Sequence, residues 1–226
     1  MSTAQPLSRP QIAWRIAQDI PDGAYVNLGI GMPEMVANYL PDDREVMLHS
    51  ENGILGLGPS PAEGEEDWDL INAGKKPVTL VEGGSYFHHT DSFAMVRGGH
   101  LDLCVLGAYQ VSAEGDLANW STGDDSRLPA IGGAMDLAMG SRGIYVMMEL
   151  CTRQGAPKIL DRCTYPLTGQ RCVDRIYSDY AVIDIAEDGP LVREMIDGID
   201  LAGLQDKAEA RLRLADDWRI LTAPVL

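Results

Sequence analysis

Basic residues are scarce in this chain. Its 226 residues include 18 lysines and arginines against 34 aspartates and glutamates, which gives a net charge of −16. So acidic a protein repels phosphates at long range, which argues against nucleic acid or an anionic membrane as a partner. A phosphate-bearing ligand therefore needs a local binding site.

Long apolar runs and paired cysteines are also missing. No stretch approaches the roughly 20 apolar residues of a membrane span, and residues 1–20 lack the apolar core of a signal peptide. The four cysteines form no CxxC pair, and Cys104 lies in the apolar run LDLCVLGAY, which indicates buried free thiols. We therefore expect a soluble, cytoplasmic protein without a membrane partner.

Several catalytic motifs are absent as well. The chain has no GxSxG nucleophile elbow and no HExxH pair, and the two histidines of FHHTD, taken as part of a strand, point to opposite faces. NLGIGMP lacks the third glycine of a dinucleotide fingerprint and the Lys-Ser/Thr of a P-loop. The sequence thus predicts neither a serine hydrolase nor a metal site, and residues 29–31 are interpreted as a tight strand-to-helix turn.

The apolar residues that are present predict an α/β protein. They make up 45% of the chain, enough to fill a sizeable core. Apolar residues recur at helical spacing over 10–20, with Pro21 after the end, and predict a first helix. A strand at 24–28, the glycine turn and a helix opened by Pro33 then form one α/β unit.

Further apolar runs predict a buried, mostly parallel sheet. Continuous runs suit strands that are covered on both faces by helices, and they occur at 45–50, 76–84, 101–112 and 143–150. Residues 175–196 resemble a hairpin, and 200–215 are predicted to be a helix. Without a repeat or a clear linker, we predict one domain over 1–226, with 1–9 and about 215–226 flexible.

The segment HSENGILGLGPSP places a carboxylate in an unusual setting. Glu51 lies on a turn bent by Gly53 and is flanked by the apolar side chains of Ile54 and Leu55. It either ends a strand in solvent or is directed at a ligand.

Two other segments have a functional and a structural interpretation. The amides of Gly132 and Gly133, before a predicted helix, can form an oxyanion hole, or the glycines can simply allow close helix packing. Lys75, in INAGKKP, can contact a phosphate or can be an exposed turn residue.

Several long blocks, taken together, resemble a known family. SENGILGLGP, DLINAGK, SFAMVRGGHLDLCVLGAYQVS, GDLANW, GGAMDL and CTYPLTGQRCVDRIYSD occur in the order found in the B subunit of family I 3-oxoacid CoA-transferases. The resemblance covers most of the chain, and GPSPAEGEEDWDLINAGK and FHHTDSF most resemble the 3-oxoadipate branch. It implies a three-layer αβα fold with a mostly parallel sheet, similar to that of ribose-5-phosphate isomerase.

The resemblance also implies a reaction. Glu51 is the nucleophile that attacks an acyl-CoA thioester, and CoA then passes through a covalent glutamyl thioester in a ping-pong mechanism. The expected transfer is from succinyl-CoA to a 3-oxo acid, with 3-oxoadipate as the expected acceptor. The other roles it implies are oxyanion or substrate binding by Asn27, Gly132 and Gly133, and CoA binding by Asn52, Gly53 and Lys75.

The resemblance implies a partner protein but no resident cofactor. We expect no permanently bound cofactor or metal, with coenzyme A acting as substrate and covalent intermediate, and an A subunit in an A2B2 heterotetramer. The alternatives are an acetoacetate-type transferase, an acyl-CoA hydrolase in which Glu51 activates water, and a subunit that only binds and presents CoA.

Overall fold

A computed structural model describes residues 4–123 and 130–226 and divides them into helices and short strands. The α-helices are α1 (Arg9–Ala17), α2 (His89–Arg97), α3 (Ala134–Gly140) and α4 (Leu201–Gln205), and a 3-10 helix spans Met32–Tyr39. The first strands are β1 (Tyr25–Leu28), β2 (Met47–Ser50), β3 (Ile54–Leu57), β4 (Leu80–Tyr86), β5 (Leu103–Gly107), β6 (Gln110–Ser112) and β7 (Leu117–Ala118). The remaining strands are β8 (Ile144–Met148), β9 (Ile159–Leu160), β10 (Arg175–Ser178), β11 (Ala181–Ala186), β12 (Gly189–Ile196) and β13 (Arg213–Leu221).

Ten of these strands form one sheet whose centre is parallel. The strand order is β13-β12-β11-β10-β8-β5-β1-β2-β3-β4, and the five central strands from β10 to β2 all run the same way. Antiparallel strands extend the sheet at β3 and β4 and at β11 and β12, and β13 then pairs in parallel with β12. The predicted α/β class with a mostly parallel central sheet is confirmed.

Helix α1 forms where the sequence supplies both a start signal and an apolar stripe. The Ser8 hydroxyl accepts from the Gln11 amide, and the Gln11 side chain accepts from the Ser8 amide, which is a capping box. Ile12 and Ile16 are fully buried against the sheet, and each contributes about 1.5–3 kcal/mol by leaving water. The predicted first helix is confirmed, although it ends at Ala17.

The continuous apolar runs are explained by helices on both faces of the sheet. In β5, Leu103 and Val105 pack into a cluster with α1 and the 3-10 helix, whereas Cys104 and Leu106 pack into a second cluster with α2 and α3. Successive side chains of a strand point to opposite faces, so both alternate sets must be apolar. This arrangement is the predicted set of three layers.

Two predictions near the first sheet edge are wrong. The run at 76–84 is not a buried parallel strand, because β4 begins at Leu80, pairs antiparallel with β3 and is largely exposed. The two histidines of FHHTD do not lie on a strand. His88 caps α2 by accepting from the Thr90 amide, and His89 is the first helical residue.

The C-terminal region contains more strand than predicted. The predicted hairpin at 175–196 is a meander of three strands, β10 to β12. The predicted helix over 200–215 is limited to α4, and the chain then returns to the sheet as β13, so the segment expected to be flexible from about 215 begins inside a strand. In the described ranges, no helix has the length and apolar character needed to cross a bilayer.

Candidate active site

A cavity of about 440 Å³ opens at the carboxyl ends of the central strands. The connection after β1 leads to β2 on one side, and the chain later returns to β5 on the other side of β1. Open parallel sheets bind ligands at such a reversal of strand order, beyond the carboxyl ends of the strands. The lining includes Leu28 and Gly29 at the end of β1, Leu106 to Ala108 at the end of β5, and Met147 and Met148 of β8.

Glu51 lies at this cavity because it directly follows the last residue of β2. Gly53, two residues later, has a φ of 112°, and a Cβ there would lie 2.1 Å from the carbonyl oxygen of Phe87. The Gly53 amide donates to Ser50 O (2.9 Å), and the Phe87 amide donates to Gly53 O (3.0 Å). This close approach permits only glycine, and it fixes the turn that presents the Glu51 carboxylate.

The Glu51 carboxylate is half-buried. Burial raises its pKa above the ordinary value of 4.5; the charge of His89 opposes this effect, and the charge of Asp136 adds to it. Burial disfavours the carboxylate anion, and such an anion is a stronger nucleophile than a fully hydrated carboxylate. Of the two interpretations of Glu51, the cavity position favours a carboxylate directed at a ligand.

Helices α2 and α3 form the wall beside Glu51. A Cβ at Gly133 would lie 2.5 Å from the Phe93 ring and 3.2 Å from Glu51 Oε2, so bare backbone is required there. An ion pair between Arg97 and Asp136 (2.7 Å) joins the two helices. The close packing is therefore observed at Gly133, whose backbone also lies next to the carboxylate, and the oxyanion-hole role stays a prediction.

The backbone amides of Gly132 and Gly133 donate to no acceptor within residues 4–123 and 130–226. The Ala134 amide donates to Ile131 O (3.2 Å), whereas the amides of Gly132 and Gly133 make no hydrogen bond to a described residue. Gly132 has a φ of 54° and open space around its Cα. Two backbone donors that bond to no described residue therefore lie in the lining near Glu51.

Asn27 also lines the cavity, but its amide is already engaged. Its Nδ2 donates to His49 Nδ1 (3.0 Å) and to His49 O (3.2 Å). Burial lowers the pKa of His49 to about 4, so the ring is neutral, and its Nε2 then donates to Ser92 Oγ (2.9 Å). A hydrogen bond from Asn27 to an acyl carbonyl requires that Nδ2 give up one of its two hydrogen bonds to His49. The substrate-binding role of Asn27 stays a prediction.

The other predicted contacts lie outside the cavity lining. Asn52 Nδ2 donates to Ile71 O (2.8 Å), which holds the adjacent loop, and Gly53 serves the turn. Lys75 is exposed on the same loop with a φ of 61°, two residues beyond Ala73, which does line the cavity. The roles of Asn52, Gly53 and Lys75 in CoA binding stay predictions.

Sequence reasoning missed part of the lining. Asn119 and Trp120 reach the cavity from the GDLANW block, and Lys158 reaches it from the segment before β9. No local pattern marks these residues as cavity residues, because their positions depend on strand pairings between distant segments. Elsewhere in the described ranges, no cluster of three or more His, Cys, Asp or Glu side chains could hold a metal ion.

Comparison with known proteins identifies the family. The family model described as Coenzyme A transferase matches residues 9–205. The chain belongs to the coenzyme A transferase family. It is 58% identical over 206 residues to the B subunit of 3-oxoadipate CoA-transferase from Acinetobacter baylyi, which covers 91% of this chain and 95% of that protein. It is 60% identical over 205 residues to the protein of the same name in Pseudomonas putida, with 91% and 96% covered.

Solved CoA-transferase structures share the fold. An acyl-CoA transferase (YdiF) of Escherichia coli O157:H7 superposes with a TM-score of 0.74 at 19% identity, over 96% of this chain and 43% of that longer chain. The predicted family and fold class are therefore confirmed.

Proposed function

We propose that this chain is the B subunit of a CoA-transferase that moves CoA from succinyl-CoA to 3-oxoadipate. Two relatives that share 58% and 60% of its residues are named as the B subunit of 3-oxoadipate CoA-transferase. The observation that carries the proposal is the Glu51 carboxylate at the cavity, with the backbone of Gly133 beside it.

In the proposed first half-reaction, the Glu51 carboxylate attacks the thioester carbonyl of succinyl-CoA. The carbon–sulfur bond breaks, and CoA leaves as a thiolate, which gives a succinyl-glutamyl anhydride. The thiolate then attacks the glutamyl carbonyl and releases succinate, so that Glu51 carries CoA as a thioester.

The second half-reaction runs the same steps in reverse with the acceptor acid. A carboxylate of 3-oxoadipate attacks the glutamyl thioester and expels CoA thiolate, which then attacks the acceptor carbonyl of the new anhydride. The Glu51 carboxylate is regenerated, and no water is consumed. Because succinate leaves before the acceptor reacts, the kinetics are ping-pong.

The surroundings of Glu51 support these steps. Each addition places negative charge on a carbonyl oxygen. The amides of Gly132 and Gly133, which bond to no described residue, are donors of the kind that stabilise such an oxyanion. The apolar lining, with Leu106, Met147 and Met148, limits the water that would hydrolyse an anhydride.

We further propose that the chain acts as one domain and assembles with an A subunit into an A2B2 heterotetramer. Its relatives are named as one of two kinds of subunit, which supports the partner, and the single ten-stranded sheet supports the domain. We propose CoA as substrate without a resident cofactor, and a cytoplasmic location, which the four free cysteines support.

An acceptor panel tests this function. The chain is reconstituted with its A subunit, supplied with succinyl-CoA, and assayed with 3-oxoadipate, acetoacetate and no acceptor. We expect the highest kcat/KM for 3-oxoadipate, parallel lines in double-reciprocal plots, and no release of free CoA without acceptor. A preference for acetoacetate would overturn the acceptor assignment, and acceptor-independent CoA release would indicate a hydrolase.

A further inference from the structure

Lys158 is the one cation in the lining of the Glu51 cavity that the described residues provide. Glu51 and Lys158 are the charged members of that lining, and the other members are apolar or neutral. In an acidic chain with a net charge of −16, the long-range field opposes the entry of an anionic substrate. The positive charge of the half-buried Lys158 in the lining locally opposes this field.

The fold brings Lys158 to the cavity from a different part of the sheet than Glu51. The Lys158 amide donates to Leu150 O, just beyond β8, and its carbonyl accepts from the Val111 amide in β6, both at 2.9 Å. Glu51 follows β2, which is separated from β8 by β1 and β5. Three strand spacings, about 14 Å, separate β2 from β8, so Glu51 and Lys158 reach the same cavity from well-separated parts of the sheet.

The nearby carboxylates do not neutralise Lys158 by direct contact. Glu149 and Asp179 attract it from a distance, but Glu149 pairs with Arg9 (2.9 Å), and Asp179 accepts from the Leu150 amide (2.9 Å). In residues 4–123 and 130–226, no carboxylate lies within 4.0 Å of its ammonium group. Burial lowers the pKa of Lys158, which means that its charged form is partly desolvated. A substrate carboxylate bound to the ammonium group would offset this desolvation cost.

We propose that Lys158 binds the second carboxylate of dicarboxylic substrates while Glu51 reacts with the acyl carbon at the other end. This proposal rests on the proposed function. Succinyl-CoA and 3-oxoadipate both keep a free carboxylate during the reaction, and one cation serves both because the two acyl groups occupy the cavity in turn. Lys158 is thus a specificity-determining residue that favours dicarboxylic over monocarboxylic acids.

The test compares two acceptors that differ only in this carboxylate. The complex of the chain with its A subunit is assayed with 3-oxoadipate and with 3-oxohexanoate, which has the same carbon skeleton without the second carboxylate. In ping-pong kinetics, kcat/KM for the acceptor reports only the half-reaction that starts from the enzyme thioester, so the succinyl-CoA donor does not contribute. We expect the unmodified complex to prefer 3-oxoadipate by about tenfold or more.

Lys158→Met should remove this preference. We expect kcat/KM for 3-oxoadipate to fall by about 10- to 100-fold, with less than about a twofold change for 3-oxohexanoate. Lys158→Arg, which keeps the charge, should retain the preference. Lys207→Met is the matched control, because it removes one lysine charge at a residue outside the cavity lining and should leave both values unchanged.

Two results would overturn the proposal. One is an equal loss for both acceptors in Lys158→Met, which indicates a structural role, and the other is an unmodified complex with no preference, a measurement that does not depend on any variant folding. Failure of the proposed function itself is distinguishable, since the unmodified complex would then form no CoA thioester from succinyl-CoA or would prefer acetoacetate to 3-oxoadipate in the acceptor panel.

Discussion

Charged side chains are buried or half-buried in two regions of the protein, and the two regions differ in how these charges are paired. At the cavity, the Glu51 carboxylate is half-buried without a salt-bridge partner among the described residues. Between α1 and strands β10 to β13, an arginine–carboxylate network pairs each buried acid with at least two donor side chains. The network consists of Arg15, Asp19, Arg175, Asp184, Arg193, Glu194 and Arg219.

The two regions shift carboxyl pKa values in opposite directions. Burial alone raises the pKa of Glu194, but hydrogen bonds and charge from Arg15 and Arg219 outweigh it, so that its pKa lies below the ordinary 4.5. The pKa values of Asp19 and Asp184 are lowered in the same way. Burial also raises the pKa of Glu51, and there the net shift remains upward.

This difference indicates that the arginine–carboxylate network stabilises the fold, whereas the Glu51 carboxylate, unpaired among the described residues, is available for reaction. The network satisfies its charges within the chain and holds α1 and the C-terminal strand β13 to the sheet. Glu51 carries a cost of burial that the fold does not offset, and a reacting substrate can relieve it. Perturbed carboxylates of this kind often occur at catalytic sites.

The largest expected effect is the loss of activity in Glu51→Gln. The amide cannot attack a thioester, so we expect kcat of the complex with the A subunit to fall by about 10⁴-fold or more. The melting temperature should stay the same or rise, because the variant removes a buried charge. Glu82→Gln, at an exposed position of β4, is the control. A Glu51→Gln complex with full activity would support a subunit that only presents CoA.

The next effect is a loss of stability in Arg15→Met. Arg15 contacts Glu194 at 2.6 Å, and both side chains are less than one-tenth exposed. The removal of Arg15 leaves the buried Glu194 carboxylate with the exposed Arg219 as its remaining partner in the network. We expect a loss of up to about 3–5 kcal/mol in the free energy of unfolding, measured by denaturant titration. The double variant Arg15→Met/Glu194→Met should recover much of it. If activity of the folded complex fell with the single variant, the two regions would not be separate.

A smaller effect is expected for Gly133→Ala. The added methyl group would meet the Phe93 ring and crowd Glu51 Oε2, so it should displace the amide proposed as an oxyanion donor. We expect kcat to fall by about 10- to 100-fold, measured with saturating substrates. Gly143→Ala, where a Cβ finds ordinary contacts of 3.4 Å or more, should have little effect. Equal kcat values for the two variants would argue against the oxyanion role.

The smallest expected effect is a difference between the pH dependence of activity and the pH dependence of stability. The Glu51 pKa is raised above 4.5, and its anion is the proposed nucleophile, so kcat/KM should fall as the pH is lowered through that raised value. The network carboxyls have lowered pKa values, so their stabilisation is present above 4.5 for glutamate and 3.8 for aspartate and is lost only at lower pH. Activity and melting temperature are measured from pH 7 to 3, and a simultaneous loss of both would contradict the comparison.

The sequence predicted the regions whose signals are local. The apolar stripe of α1 involves neighbouring residues, and so does the strand-to-turn placement of Glu51. The burial of β5 on both faces follows from a continuous apolar run. These features depend on backbone preferences and hydrophobic period, which a single segment contains.

Features that depend on distant partners were missed or wrong. Strand β13 includes the charged sequence DDWR, which forms a strand because Arg219 reaches Glu194 and Asp217 reaches Arg193 on β12. Strand β4 looked buried in sequence, but it lies at the sheet edge. Lys158 enters the cavity only through pairing with segments after β8 and in β6.

The central claim is that Glu51 carries CoA as a covalent thioester. The complex with the A subunit is incubated with succinyl-CoA without acceptor and treated with borohydride, which reduces a thioester to an alcohol and releases CoA. Peptides are then mapped by mass spectrometry. The account predicts that the Glu51 carboxyl is converted to the alcohol in the active complex and remains unchanged when 3-oxoadipate is added before borohydride in excess over succinyl-CoA. An active complex in which Glu51 is unmodified, or in which another carboxylate is reduced, would contradict it.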